Sequence, residues 1–397
     1  VEDFERLLDE NPEIEHVELS NYGEMFLNPR LPELLEAAYR RNVVVSGSNG
    51  VNLNFAREDA LEAVVRYRVR SLTCSIDGAT AASYAKYRRN GDLNQVLRNI
   101  DRILHYKREL RSGFPLLYWQ FVVFGHNEDE VETARRMAEE RGMEFVPRLS
   151  WDSQYAPVAN PELVTIQTGL TGSTREEFKA KTGVDYTRDI CYQLWRAPVV
   201  NWDGKLLGCC VNYWGDFGAN VFADGLAGSV ASPRMEQARE MLLGKQSSSP
   251  EIPCSTCSQF ESLRESGRWL TDAEVASHSG PSHLVSVVPL APESIRFAKV
   301  AISQVGVAAL EPAATDSTGR GFRFGVDHAF FSTVPGPGSY QAIIEALTPS
   351  GWRRFSRSFT VLPRPICHEF VFDLRAPQDG SEDSNVANSP RLKTWIR

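Results

Sequence analysis

The sequence predicts an α/β protein with a small cysteine-bearing module and an appended β-rich region, on three observations. Over residues 1–150, short apolar runs alternate with stretches of helical period. Four cysteines, Cys191, Cys209, Cys254 and Cys257, gather in the next part of the chain. From about residue 284, short β-rich runs are divided by Gly/Pro turns. Strands alternating with helices imply βα units and a parallel sheet, whose ligands bind beyond the carboxyl ends of the strands.

Taken in order, Val17-Glu18-Leu19 is a short strand, and Leu31 to Arg40 carries apolar residues at 31, 34, 35 and 38, one helical stripe. Val43-Val44-Val45 reads as a buried strand, Glu58 to Tyr67 as a helix and Ser71 to Ile76 as a strand. Leu93 to Leu110 is a long amphipathic helix, Leu116 to Phe124 a strand, and Glu128 to Gly142 a helix ended by its glycine. Glu144-Phe145-Val146 closes the series. The loops after Leu19, Val45, Ile76 and Phe124 are therefore the expected site. Residues 151–185 show no clear period and read as a connector. The cysteine module spans 186–276 and includes a helical stretch from Glu261 to Val275. Ser277 to Pro281 reads as a linker, 284–376 as a β-sandwich, and 377–397 as a tail too polar to pack.

Composition narrows the function. The chain has 397 residues, 42% hydrophobic and 24% charged, which permits two or three globular domains of ordinary core size. A net charge of −8 argues against a broad nucleic-acid surface. Basic runs such as Arg66 to Arg70 read as solvated helix faces. No run of apolar residues is long enough to span a membrane, and no signal peptide opens the chain. An odd count of seven cysteines, four of them grouped, favours metal thiolates in a reducing cytoplasm over a disulfide framework.

Those four cysteines form two separated halves. Gly204 precedes Cys209 by five positions, and Cys254-Ser255-Thr256-Cys257 is a Cys-x-x-Cys. Four soft thiolates suit zinc or an iron–sulfur cluster. Cys210 adjoins Cys209; neighbours in a strand point to opposite faces, so one of them faces the centre, and the Gly204 spacing selects Cys209.

The loop motifs carry a resemblance. Gly23-Glu24-Met25-Phe26-Leu27-Asn28-Pro29 resembles the Gly-Glu motif of the radical S-adenosylmethionine (SAM) superfamily. Ser48-Asn49-Gly50 is similar to that family's Thr-Asn-Gly, and Ser75-Ile76-Asp77-Gly78-Ala79-Thr80 to its Ser-Ile-Asp-Gly-Ala-Thr. Tyr84-x-Lys86-x-Arg88-x-x-Gly91 and Gln120-Phe121-Val122-Val123 through Asn127 continue the order. The cysteine module resembles the SPASM/twitch extension, in its single-cluster form. The resemblance covers roughly residues 1–260.

It implies a partial (β/α)6-type barrel, an auxiliary 4Fe–4S cluster at Cys191, Cys209, Cys254 and Cys257, and SAM held by Gly23, Glu24, Asn49, Ser75 and Arg88. It also implies reductive SAM cleavage to a 5′-deoxyadenosyl radical that abstracts a substrate hydrogen. The substrate would be a peptide, protein or carbohydrate, and the reductant a flavodoxin or ferredoxin. One departure stands out: no Cys-x-x-x-Cys-x-x-Cys lies ahead of Gly23, so a catalytic cluster is expected only in a longer form. The abrupt helical start points to truncation, the alternative being a degenerate scaffold.

Plainer readings stand beside these. Gly23-Glu24 equally suits a helix-capping turn, Asn49 and Ser75 turn caps, Arg88 a solvated helix arginine, and Asp77 an Asp-Gly turn. His16 and His126 are isolated and read as surface or satisfied histidines. As alternatives to the enzyme, the chain would be a degenerate radical SAM scaffold binding peptide or carbohydrate, or a zinc-ribbon regulator.

Overall fold

The computed structural model describes residues 1–277 and seven strands beyond them. From residue 278 the expected linker lies outside the described residues, as do 335–337 and the tail from 377.

Five strands form one sheet: β1 (His16–Glu18), β2 (Val44–Val51), β3 (Ser71–Ser75), β4 (Leu116–Val123) and β5 (Glu144–Leu149). Their order in the sheet is their order in the chain, and every neighbouring pair is parallel. Right-handed crossovers that always step the same way put the connecting helices on one face. The order never reverses, unlike that of a doubly wound sheet.

Helices α1 (Glu2–Glu10), α2 (Leu31–Arg40), α3 (Glu58–Arg66), α4 (Ala81–Tyr87), α5 (Leu93–Glu109) and α6 (Val131–Glu139) accompany it. Their apolar stripes, including Leu35, Leu61, Val64, Ile100, Ile103 and Val131, share one core with alternate strand residues: Val45, Leu72, Cys74, Leu117, Trp119, Phe121 and Val123. The boundaries follow the sequence reading in most elements, but α4 has no counterpart in it, β5 runs to Leu149 rather than Val146, and α6 ends at Glu139 rather than Gly142. Val44–Val51 runs on through Ser48-Asn49-Gly50, so that motif is the end of a strand rather than the loop after it. The expected helix from Glu128 begins as a 3-10 turn, Glu128–Glu130.

The connector is more ordered than its sequence indicates. It holds α7 (Pro161–Thr168) and α8 (Arg175–Thr182), capped by the Asn160 and Thr174 side chains and closed by Gly169 and Gly183 in left-handed conformations. A second apolar core follows, built on Tyr192, Leu194, Leu206, Met235, Met241 and Phe260. Its elements are α9 (Gln193–Arg196), the hairpin β6 (Val199–Val200) and β7 (Leu206–Gly208), α10 (Val221–Asp224), α11 (Leu226–Val230), α12 (Pro233–Leu242), α13 (Ser258–Ser266) and α14 (Asp272–Ser277). The single helix expected over Glu261 to Val275 is divided. Gly267, at φ 64°, ends α13, and the chain turns before α14.

The C-terminal strands are β8 (His283–Leu290), β9 (Phe297–Gln304), β10 (Arg323–Phe324), β11 (Phe330–Val334), β12 (Gly338–Thr348), β13 (Gly351–Val361) and β14 (Cys367–Asp373). They make two sheets, ordered β10-β11-β8-β14 and β13-β12-β9. β8 and β14 pair in parallel, unlike the other C-terminal pairs.

Candidate functional site

At the carboxyl ends of β1 to β3 the motif residues converge on one rim. Glu24 accepts from Phe26 N at 3.1 Å and from Asn52 N at 2.6 Å, so its carboxylate ties the loop after β1 to the end of β2. Burial pushes this carboxyl up, against the pull of those two N–H groups and of Arg88. The capping reading of Glu24 thus holds in this structure, for the turn Met25–Leu27 rather than for α2. Gly23 sits at φ 91° with open space where a Cβ would stand. Asn49 projects from the rim with an exposed side chain, while its N–H donates to Ser20 Oγ at 2.9 Å.

Gly50 explains itself by contact. At φ 116°, a Cβ there would stand 2.8 Å from Ser75 Oγ, so only glycine lets this backbone pass over Ser75. Ser75 is itself buried at the end of β3.

Arg88 is neither a solvated arginine nor a free fork. Its Nε and Nη2 both lie 2.6 Å from Asp77 Oδ2. Asp77 Oδ1 accepts from Val122 N at 2.7 Å, and its backbone carbonyl accepts from Asn127 Nδ2 at 3.1 Å. The Asp77 side chain is 0% exposed and that of Arg88 24%. Burial pushes the Asp77 carboxyl up while the Arg88 charge and the Val122 N–H pull it down. Beside the pair stands an aromatic group in which the Tyr87 and Phe124 rings are 4.6 Å apart, Phe124 and His126 stack at 5.2 Å, and Tyr155 meets Phe124 edge-on.

The sheet face away from the apolar core is polar, and the sequence reading passed over it. His16 Nε2 meets Ser46 Oγ at 2.6 Å, and Ser46 Oγ donates to Glu18 Oε2 at 2.8 Å. The single Ser46 proton is spent on Glu18, so the His16 ring must be the donor. Glu18 also receives both Ser20 N and Ser48 N, and Ser48 Oγ meets Ser71 Oγ at 3.0 Å. Burial lowers His16 to about 4, so the ring is neutral near pH 7. The missed signal was period two: Ser71-x-Thr73-x-Ser75 and Tyr118-x-Gln120 alternate with core residues.

The cysteines share the second core. Cys191 belongs to it, and Cys209, Cys254 and Cys257 pack against it. Gly204 turns the β6–β7 hairpin at φ 85°, and a Cβ there would lie 2.3 Å from Asn220 Oδ1. Gly204 therefore fixes the strand that delivers Cys209. Cys209 and Cys210 lie just past β7, in a bend and a turn, so strand alternation does not separate them as expected. Their environments do. Cys209 stands with Cys254 and Cys257 in the field felt by Cys191, whereas Cys210 feels Gln193, Glu18 and Cys209. Cys254 lies within the 3-10 turn Pro253–Thr256, and Cys257 follows it at the N-terminus of α13. Burial and neighbouring thiols raise Cys191 well above the usual thiol range, and Cys254 to about 12. Tyr22, from the loop after β1, packs edge-on against Tyr213 at 6.2 Å, which sets the cysteine module against the rim.

Among the described residues, no three His, Cys, Asp or Glu side chains form a group that could hold a single metal ion. In donor chemistry alone, the four cysteines are compatible with either a zinc ion or an iron–sulfur cluster. All four are soft thiol donors, the ligand chemistry that zinc and iron–sulfur clusters share. No helix among the described residues is long and apolar enough to cross a membrane.

No protein-family model matches the sequence, and no curated protein matches it. In three dimensions the chain is similar to SuiB of Streptococcus suis, at a TM-score of 0.46 and 12% identity, over 60% of this chain and 61% of that one. It is also similar to SuiB bound to precursor peptide SuiA, at a TM-score of 0.45 and 11% identity, over 66% and 63%. The match therefore spans less than two thirds of SuiB in either structure.

Proposed function

We propose that this chain is a radical SAM enzyme of the SPASM/twitch type, its parallel sheet carrying the SAM-binding rim and its cysteine module an auxiliary cluster. The observation that carries the reading is the shared rim. Gly23, Glu24, Asn49, Ser75 and the Asp77–Arg88 pair gather at one end of a sequentially ordered parallel sheet, and Tyr22 joins that rim to the four-cysteine module. With SAM and a catalytic cluster bound, the cofactors would supply a 5′-deoxyadenosyl radical for hydrogen abstraction and a one-electron store at the auxiliary cluster.

The residues supply binding and order. Glu24 keeps acceptor capacity beyond its two N–H partners for the SAM ammonium. Arg88, fixed by Asp77, presents charge for the SAM carboxylate. Asn49 and Ser75 are the polar groups for methionine or ribose. Tyr87, Phe124 and Tyr155 form an aromatic wall on this side. The substrate is a peptide, protein or carbohydrate, and a flavodoxin or ferredoxin is the reductant.

Anaerobic reconstitution tests the reading by metal content. We expect about four iron atoms and about four sulfides per chain, the content of one cluster held by a single set of cysteine thiolates. Cys254→Ala or Cys257→Ala should abolish uptake. Stoichiometric zinc without iron, or about eight iron atoms, overturns the reading. The 397 residues carry no Cys-x-x-x-Cys-x-x-Cys, so dithionite should yield no 5′-deoxyadenosine from SAM with this chain alone.

A further inference from the structure

The segment from Ser150 to Asn160 lies across the carboxyl end of β4 and is fastened at three places. At one end the Arg175 guanidinium carbon lies 3.6 Å from the centre of the Trp151 ring. At the other, the buried Glu128 accepts from Ala159 N at 2.8 Å and from Asn160 N at 3.1 Å. In the middle, Gly125 N donates to the Ala156 carbonyl at 2.7 Å, and a Cβ on Gly125 would run into the Pro157 carbonyl oxygen. Ala156 takes φ 46° there, a left-handed conformation that alanine seldom adopts. Tyr155 sets its ring against Phe124 and Tyr87 and donates to the Lys86 carbonyl at 3.3 Å, and the Arg88 guanidinium stands 5.1 Å from the Tyr87 ring. The segment thus closes over the Arg88 side of the rim. Against it lies His126, whose ring stacks on Phe124 at 5.2 Å and meets Tyr155 edge-on at 6.4 Å. Its Nε2 is buried and has no hydrogen-bond partner among the described residues. A neutral ring leaves that nitrogen an idle acceptor; an imidazolium makes it a buried donor with nothing to receive its proton. Burial accordingly pushes His126 down, and Lys86 of α4 adds to this, against the weaker pull of Glu130 and Asp77. Both acids are already engaged, Glu130 by Ala79 N, Thr80 and Ser83, and Asp77 by Arg88.

We propose that residues 150–160 are a strap over the rim and that His126 is its release: a proton taken up by the ring is solvated only when Tyr155 lifts away, so acidification opens the strap. The device needs no cofactor and is separable from the function proposed above. In the closed strap His126 binds its proton more weakly than in the open one. Closure is therefore fully present above about pH 6.5, the ordinary imidazole value, and weakens by up to about tenfold per pH unit below it.

The experiment is hydrogen–deuterium exchange of the full chain across that pH range, corrected for the intrinsic pH dependence of amide exchange, with β3 as the control for global opening. Protection over 150–160 should fall with pH as stated, while β3 remains the better protected. Equal protection in the two segments means that only global unfolding exposes the strap, and overturns the inference. His126→Phe keeps a ring against Phe124 and Tyr155 without titrating, and should hold protection over 150–160 constant with pH. A fall that persists in that variant assigns the release to another group, such as Glu128, and overturns the inference. Gly125→Ala unseats the strap sterically and should strip its protection already above about pH 6.5. If His126→Phe fails to fold, the wild-type titration and Gly125→Ala decide: a strap that stays protected in either overturns the inference.

Discussion

Replacing Asp77 by Asn isolates the charge that holds Arg88. Asparagine keeps an acceptor for Val122 N, now 2.7 Å from Oδ1, and keeps the volume. What is lost is the negative charge 2.6 Å from the guanidinium, at a side chain 0% exposed. Removing one partner of a buried pair costs roughly 3–5 kcal/mol. Arg88 is 24% exposed, so water takes up part of its unpaired charge, and about 2–3 kcal/mol is expected. Urea denaturation followed by circular dichroism reads this as a shift in midpoint at constant slope. Arg88→Met removes the other partner and leaves a carboxylate that burial already pushes up. Its folded pKa then rises further than in wild type, so the native state keeps the proton to higher pH, and stability relative to wild type falls as pH rises through and beyond the wild-type folded value, itself above the unfolded value of about 3.9. The double variant Asp77→Asn/Arg88→Met leaves no unpaired charge and should recover more than half of the summed losses. Additive losses, or an Arg88→Met deficit that does not change with pH, would refute the pairing.

Three further outcomes follow from single contacts. Gly50→Ala should cost about 1–3 kcal/mol in a thermal melt, since its φ of 116° and the 2.8 Å approach to Ser75 Oγ both oppose a Cβ; adding Ser75→Ala should relieve only the second part. Gly204→Ala, which would drive a Cβ to 2.3 Å from Asn220 Oδ1, should lower iron uptake by the cysteine module while leaving far-ultraviolet circular dichroism nearly unchanged. The His16 contribution to wild-type stability should fall by about 3 kcal/mol on acidification from about pH 6.5 to about pH 4. Over that window the unfolded chain protonates His16, whose folded value is about 4, and His16→Gln should flatten the dependence in pH-stepped urea melts.

How far the sequence speaks depends on whether a signal is local. The helices of the sheet layer are legible because their apolar stripes and caps lie within one segment, as in Leu31–Arg40 and Leu93–Glu109. The connector helices escape that test. Arg175–Thr182 buries no residue of its own, so no stripe exists to be read, and its evidence is the Thr174 cap and the Gly183 stop. The division of the helix after Cys257 was readable from Gly267, which takes the left-handed conformation usual for a C-terminal cap. Partnerships between distant residues are a different matter. Nothing near Arg88 in the chain says whether it meets solvent or Asp77; that follows only when β3 and α4 are placed.

The polar face of the sheet shows how a partly legible pattern acquires meaning. A central strand of a parallel sheet covered on both faces reads as a near-continuous apolar run. Leu72 and Cys74 obey that rule, but Ser71, Thr73 and Ser75, equally buried, do not. Alternation of this kind belongs to a strand with one apolar side and one polar side. Here the polar side carries Glu18, Ser46, Ser48 and Ser71 in one connected network, and it leads to the rim where Gly50 crosses Ser75. Buried hydroxyls hold a strand together no better than valines do, and each needs a partner. Their concentration on the face opposite the helices, beneath Glu24, Asn49 and Arg88, is therefore an argument for a polar ligand on that side. It stands independently of the cysteines, because it depends on the sheet alone.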